Sequence, residues 1–145
     1  MKLSEIMTRD VVVVQPDENI QAAAQKMRDR DIGFLPVCDG EKLVGVLSDR
    51  DISSRVVADG KDPKTITSRE AASRPVIYCY EDQDVGDAAK IMHDQQIRRL
   101  VVLDRGTRKM VGVLSLGDIA TNSAEEISGE ALQGISKPDN STKPL

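Results

Sequence analysis

Apolar and polar positions along this chain follow one succession of patterns, and the succession occurs twice. Residues 11–14 are four consecutive valines, a β-branched run that predicts a strand, and Pro16 and Asp17 end it. Ile20, Ala23, Ala24 and Met27 then recur at i, i+3, i+4 and i+7, the apolar stripe of an amphipathic helix. Residues 34–38 and 42–47 are short apolar runs joined at Asp39-Gly40, the pattern of a hairpin. A further helix is predicted from about Ser48 toward Val57. Later, residues 76–80 predict a strand, and Val85, Ala88, Ala89 and Met92 repeat the helical stripe. The unit is β-α-β-β-α in both cases, which makes the fold class α+β.

The repetition holds residue by residue. A shift of 65 places Val11 on Val76, Asp17 on Asp82, Met27 on Met92, Ile32 on Ile97 and Leu35 on Leu100. The second copy then carries two extra residues around Gly106-Thr107, where a hairpin turn tolerates them. Beyond that gap a shift of 67 sets Leu43, Val44, Gly45, Val46, Leu47 and Ser48 on Met110, Val111, Gly112, Val113, Leu114 and Ser115. The expected organisation is one repeat at 4–57, a linker at 58–68 marked by Asp59-Gly60 and Pro63, and a second repeat at 69–122. A tail at 123–145 follows, with a short helix expected at 124–135 and a disordered end from Ser136. A unit of about 50 residues buries only ~60% of its unfolded surface, so the repeats are expected to pack as a pair.

Composition narrows the function classes. A formal net charge of −4 over 145 residues, with no Lys/Arg run, gives no basic footprint for nucleic acid. No apolar run is long enough to span a bilayer and no leader pattern follows Met1, so no membrane role and a cytoplasmic location are expected. Cys38, Cys79 and His93 cannot make a closed zinc site of the Cys/His kind, so no metal site is expected. The cysteines fit core packing, and His93, opposite the stripe of its helix, is expected to be solvated. No nucleophile, base and orienting group can be assembled, and neither a P-loop nor a G-x-G-x-x-G occurs, so the chain is not expected to be an enzyme.

Each hairpin runs into a Ser-x-x-Asp step: Ser48 with Asp51, and Ser115 with Asp118. Two readings of this step stand side by side. It can be a helix cap, with Ser accepting from an orphan backbone N–H and Asp placed in the first turn. It can also be a ligand site, since an ionised Asp accepts both hydroxyl protons of a ribose diol.

The stretches Gly33-Phe34-Leu35-Pro36-Val37 and Gly45-Val46-Leu47-Ser48-Asp49-Arg50-Asp51-Ile52 resemble the CBS domain, the regulatory module named after cystathionine beta-synthase. Arg98-Arg99-Leu100-Val101-Val102 and Gly112-Val113-Leu114-Ser115-Leu116-Gly117-Asp118-Ile119 are similar to it again. The resemblance covers residues 4 to about 122. It implies an intramolecular pseudo-twofold pair whose clefts hold an adenosine-containing ligand: AMP, ADP, ATP, S-adenosylmethionine or NAD. No cofactor is required. It also implies a homodimer that signals, by a change of shape, to a separate effector protein. Carried over by residue, it puts Asp51 and Asp118 on ribose, and Ser48 and Ser115 on ribose or phosphate. Arg98-Arg99-Leu100 is similar to the His-Arg-Leu stretch with which the gamma subunit of AMP-activated protein kinase meets phosphate, and guanidinium forks suit that role. Ile32, Ile97, Val11 and Val76 stand at candidate positions for the aliphatic walls the resemblance implies for an adenine slot, and each of them equally fits plain core packing. Gly33-Phe34 stand where the second copy has Arg98-Arg99, so one dominant site for a phosphorylated ligand is expected. The alternative is a ligand-free structural or protein-interaction dimer.

Overall fold

The computed structural model describes residues 1–138, so residues 139–145 of the expected disordered end lie outside the described residues. The chain divides into two units, and neither is one continuous segment: residues 10–77 with 108–110 form one, residues 1–9, 78–107 and 111 onward the other.

In the unit of the first repeat, Asn19 caps helix α1 (Ile20–Arg30), its side-chain oxygen accepting from the Ala22 N–H at 2.8 Å. The helix buries Ile20, Ala23 and Met27, while Ala24 is half-buried, and it ends at Asp31 in a left-handed conformation. Strands β1 (Phe34–Asp39) and β2 (Lys42–Ser48) pair antiparallel across the two-residue turn Gly40-Glu41. Gly40 has φ +63°, which glycine adopts without steric cost. The chain then enters a short helix, α2 (Asp49–Asp51), that continues as a π-helical run over Ile52–Val57. A helical turn, α3 (Ser68–Ala71), was not foreseen; Thr67 caps it. Val14, Ile20, Ala23, Met27, Leu35, Val37, Leu47, Val56, Ala71 and Ala72 form the core.

The strand expected at 11–14 is reduced to one parallel bridge, Val14 with Val37. Val14 donates to the Pro36 carbonyl at 3.0 Å and accepts from the Cys38 N–H at 2.9 Å. The next rung would need an N–H from residue 36 to reach Val12, and proline has none. Residue Val101 stands at the equivalent place in the second repeat, and there a true strand forms, β3 (Tyr78–Tyr80), parallel to β4 (Arg99–Leu103).

The unit of the second repeat continues with α4 (Val85–Gln95), which follows β3, then β5 (Met110–Ser115) beside β4, and α5 (Leu116–Asn122). Leu100, Val101, Val102, Leu114 and Ile119 are buried with Val85, Ala88, Ala89 and Met92 of α4. Helix α6 (Glu125–Ser136) fills the region where a short helix was expected. It packs on the face of α4 that carries His93, and a Cβ at Gly134 would overlap the His93 ring. The Gln96 amide donates to the Gly134 and Lys137 carbonyls at 3.1 and 2.7 Å and so closes the end of α6. The expectation of a solvated His93 is therefore corrected: its side chain is 29% exposed, because α6 covers the polar side of α4.

The division into units follows from a reciprocal exchange of leading segments. Thr8 forms a bridge to Val113 of the second repeat, and its equivalent, Ser73, forms one to Val46 of the first. Val85 N–H donates to the Met1 carbonyl at 2.8 Å just as Ile20 N–H donates to the Ile66 carbonyl at 3.0 Å. Each repeat is thus completed by the residues that lead into the other. The glycines shared by both hairpins make room for these segments: a Cβ at Gly112 would lie 2.8 Å from the Thr8 carbonyl oxygen, and one at Gly45 would lie 3.1 Å from the Ala72 Cβ.

Candidate functional site

The last residue of each hairpin is a helix cap. In the first repeat Ser48 is extended (φ −111°, ψ 162°), which turns its hydroxyl toward the helix. Ser48 Oγ accepts from the Asp51 N–H at 3.1 Å, and Asp51 Oδ2 accepts from the Ser48 N–H at 2.9 Å. The other oxygen, Oδ1, is also engaged. It accepts from the Ser73 hydroxyl at 3.2 Å and lies 3.9 Å from Arg55 Nε. Arg55 in turn donates to the Ala71 and Ala72 carbonyls, satisfying acceptors that α3 leaves open at its C-terminal end. The Asp51 side chain is only 13% exposed, and this network compensates its burial.

The second repeat has the same cap and a different surround. Ser115 Oγ accepts from the Asp118 N–H and Asp118 Oδ2 accepts from the Ser115 N–H, both at 3.0 Å. Asn122 stands where the first repeat has Arg55, and its amide goes to the Asp118 carbonyl at 2.8 Å, not to the carboxylate. Among the described residues, nothing donates to Asp118 Oδ1. The chain enters β4 beside this cap, since the Leu116 N–H donates to the Arg98 carbonyl at 2.8 Å. Arg98 and Arg99 are both exposed, and the Arg98 guanidinium makes no hydrogen bond or ion pair among the described residues. An uncommitted carboxylate oxygen, a hydroxyl and an uncommitted cation therefore occur together on one unit: acceptors for a diol and a donor for an anion.

A family model described as the CBS domain matches this chain twice, over residues 3–58 and 69–125. The chain belongs to the CBS-domain family. It is similar to the CBS domain-containing protein YhcV of Bacillus subtilis, 37% identical over 135 residues that cover 92% of this chain and 94% of that one. It is similar also to hypoxic response protein 1 of Mycobacterium tuberculosis, at 35% identity over 92% of this chain and 93% of that one. A crystal structure of Hypoxic Response Protein I with two coordinated zinc ions superposes with a TM-score of 0.78, at 35% identity, over 86% of this chain and all of that one. Among the described residues no three His, Cys, Asp or Glu side chains come together to hold a metal ion. Burial raises both thiols, that of Cys79 to about 11 with Asp87 adding to the shift, so neither cysteine presents a ready thiolate. No helix among the described residues is long and apolar enough to cross a membrane.

The remaining expected site residues distribute unevenly between the two CBS repeats. Ile32 and Ile97 occupy equivalent places just past a helix, each donating its N–H to the last turn, to Met27 and Met92 respectively. Both are half-buried, and Ile32 packs on the core of its unit. Val11 and Val76 are half-buried as well, but both belong to the unit of the first repeat, because the exchange carries residue 76 there. Sequence reasoning missed Ser73 and Arg55, the partners of Asp51. Ser73 aligns with Thr8 at the same shift of 65, yet nothing in the sequence shows that the two leads trade places. It also missed Asp49, which aligns with Leu116 at the shift of 67 and so marked a charged difference beside the cap.

Proposed function

We propose that this CBS pair is a regulatory module that binds an adenosine-containing ligand, with AMP, ADP or ATP the best fit, and acts on a separate protein. The observation that carries the reading is the contrast between the two carboxylates. Asp51 spends both oxygens within its own unit, whereas among the described residues nothing donates to Asp118 Oδ1 and the Arg98 guanidinium of the same unit has no partner. In this reading the ribose hydroxyls donate to Asp118, the phosphate meets Arg98 or Arg99 together with Ser115, and Ile97 contributes apolar wall. The module carries out no chemistry of its own. Its output is a shift between conformations, limited by the ligand's differential affinity for them, and it passes from a homodimer to an effector protein.

A second reading draws on a specific feature as well: both capping boxes are complete without any ligand, which is what a purely structural or protein-interaction dimer needs. Thermal unfolding with AMP, ADP, ATP, S-adenosylmethionine and NAD separates the two. A ligand at a hundred times its dissociation constant stabilises the folded state by about 2.7 kcal/mol. A panel with no shift for any of the five refutes the ligand-binding reading and leaves the structural one.

A further inference from the structure

At the turn end of the hairpins the two repeats treat equivalent carboxylates differently. In the second repeat Asp82 and Asp104 are both satisfied from within. The Arg105 guanidinium donates to the two oxygens of Asp82 at 2.8 and 2.9 Å and lies over the Tyr80 ring, 4.2 Å from its centroid. Asp104 Oδ2 accepts from the Thr107 N–H at 2.8 Å and from the Thr107 hydroxyl at 2.9 Å. The shift of 65 places Asp17 on Asp82, Asp39 on Asp104, Gln15 on Tyr80 and Gly40 on Arg105. The first repeat therefore keeps both carboxylates, has a glycine where the guanidinium originates, and lacks the threonine in its shorter turn. Among the described residues neither the Asp17 nor the Asp39 side chain makes a hydrogen bond or ion pair.

These two carboxylates line a cavity of about 460 Å³ together with Gln15, Pro16, Thr67 and Arg69. All six residues belong to the unit of the first repeat. The volume falls within the range of small-molecule sites, about 300–1,000 Å³. The frame of the cavity is tied down: the Arg69 N–H donates to the Pro16 carbonyl at 3.0 Å, the Gly40 N–H donates to Gln15 Oε1 at 3.4 Å, and Thr67 is held in its capping box with Glu70. The Arg69 guanidinium, opposite in charge to the carboxylates, also has no partner among the described residues. Asp17, Asp39 and Arg69 are exposed, so a ligand reaches them directly. Two acceptors and one forked donor thus face one cavity without satisfying each other, and a single ligand bearing both signs of charge satisfies all three.

We propose that this cavity binds a free basic amino acid, with arginine matching its groups. The ligand's guanidinium takes on Asp17 the place that Arg105 takes on Asp82, its α-ammonium meets Asp39, and its carboxylate pairs with the Arg69 fork. The site uses none of the residues of the adenosyl reading and does not depend on it.

The test is calorimetry and thermal unfolding on the full chain with three probes: L-arginine, agmatine, which lacks the carboxylate, and L-citrulline, whose side chain carries no charge. The wild type is expected to bind one L-arginine per chain. The other two probes are expected to bind about tenfold more weakly or worse, since each lacks a charge-assisted contact. Arg69→Gln is expected to lower L-arginine to the affinity of agmatine and to leave agmatine unchanged. Asp17→Asn is expected to weaken L-arginine by about tenfold or more and to erase its advantage over L-citrulline. A wild type that gives neither a binding isotherm nor a thermal shift with L-arginine overturns the proposal. So does L-citrulline bound as tightly as L-arginine, or an L-arginine affinity unchanged in Asp17→Asn or in Arg69→Gln. Should a variant fail to fold, as judged by its thermal transition, the three probes on the wild type decide alone.

Discussion

Replacing Asp118 separates its two roles, because they draw on different properties of the side chain. Asparagine keeps an oxygen at the Oδ2 position, so the acceptor for the Ser115 N–H at 3.0 Å survives. The negative charge and the second acceptor are lost. A hydrogen bond to a charged group contributes about 1.5–3 kcal/mol, so losing one ribose contact weakens AMP about tenfold or more. Asp118→Ala removes the cap contact as well, which costs about 1 kcal/mol of folding stability. Asp51 is expected to behave in the opposite way. Asp51→Ala strands the Ser73 hydroxyl and leaves Arg55 beside no carboxylate, in a place where Asp51 is only 13% exposed, so about 2–4 kcal/mol of stability is lost. AMP affinity, being tied to the second repeat, changes little. Calorimetry for AMP and denaturant unfolding on the same four proteins, wild type included, read both quantities. An Asp118→Asn variant that binds AMP within twofold of wild type, or an Asp51→Ala variant that loses more AMP affinity than Asp118→Ala does, would refute the assignment.

Other expectations follow from single contacts. Arg98→Ala should weaken AMP, and the wild-type affinity should fall as salt is raised from 0.05 to 0.5 M, because an exposed guanidinium acts through screened charge with a Debye length of about 10 Å at 0.1 M; calorimetry at several salt concentrations checks both. Gly112→Ala sets a methyl group against the Thr8 backbone carbonyl, which cannot yield easily, and against the Met7 side chain, and should cost about 1–3 kcal/mol in denaturant unfolding. The hydrogen bonds from Arg105 hold the Asp82 carboxyl below the usual range. A lowered folded-state value makes the pair stabilising above the ordinary carboxylate range, and that contribution is lost as pH falls through the lowered value. Carboxyl NMR titration should show Asp82 moving up toward the ordinary range in Arg105→Ala, and an unchanged midpoint would contradict the pairing.

Much of this fold was legible because the repeat tests itself: an apolar stripe read at Ile20 and read again at Val85 is a stronger sign of a helix than either alone. The sequence spoke less clearly wherever the two copies differ by one atom or one partner. The valine run at 11–14 has strong strand propensity, and what limits it is a missing N–H on Pro36, a residue 22 positions beyond the bridge at Val14. A propensity describes the residue that carries it, whereas a ladder needs the donor on the opposite strand. The exchange of leading segments is hidden for a related reason. Thr8 and Ser73 stand in register, so alignment shows that they do equivalent things but not on which hairpin they do them. Only Gly45 and Gly112 hint that something must approach each hairpin closely. The caps illustrate the same limit at the site. Ser-x-x-Asp occurs in both copies and forms the same reciprocal pair of bonds in both, so the motif by itself cannot distinguish the two carboxylates. The difference lies in residues the motif does not contain. Ser73 arrives through the exchange, Arg55 sits one turn along, and Asp49 lies over Gly33; together they turn one copy of a duplicated motif inward and leave the other with an oxygen to offer. Function in a duplicated module is therefore to be sought at the positions where the copies disagree, and here those positions surround the cap.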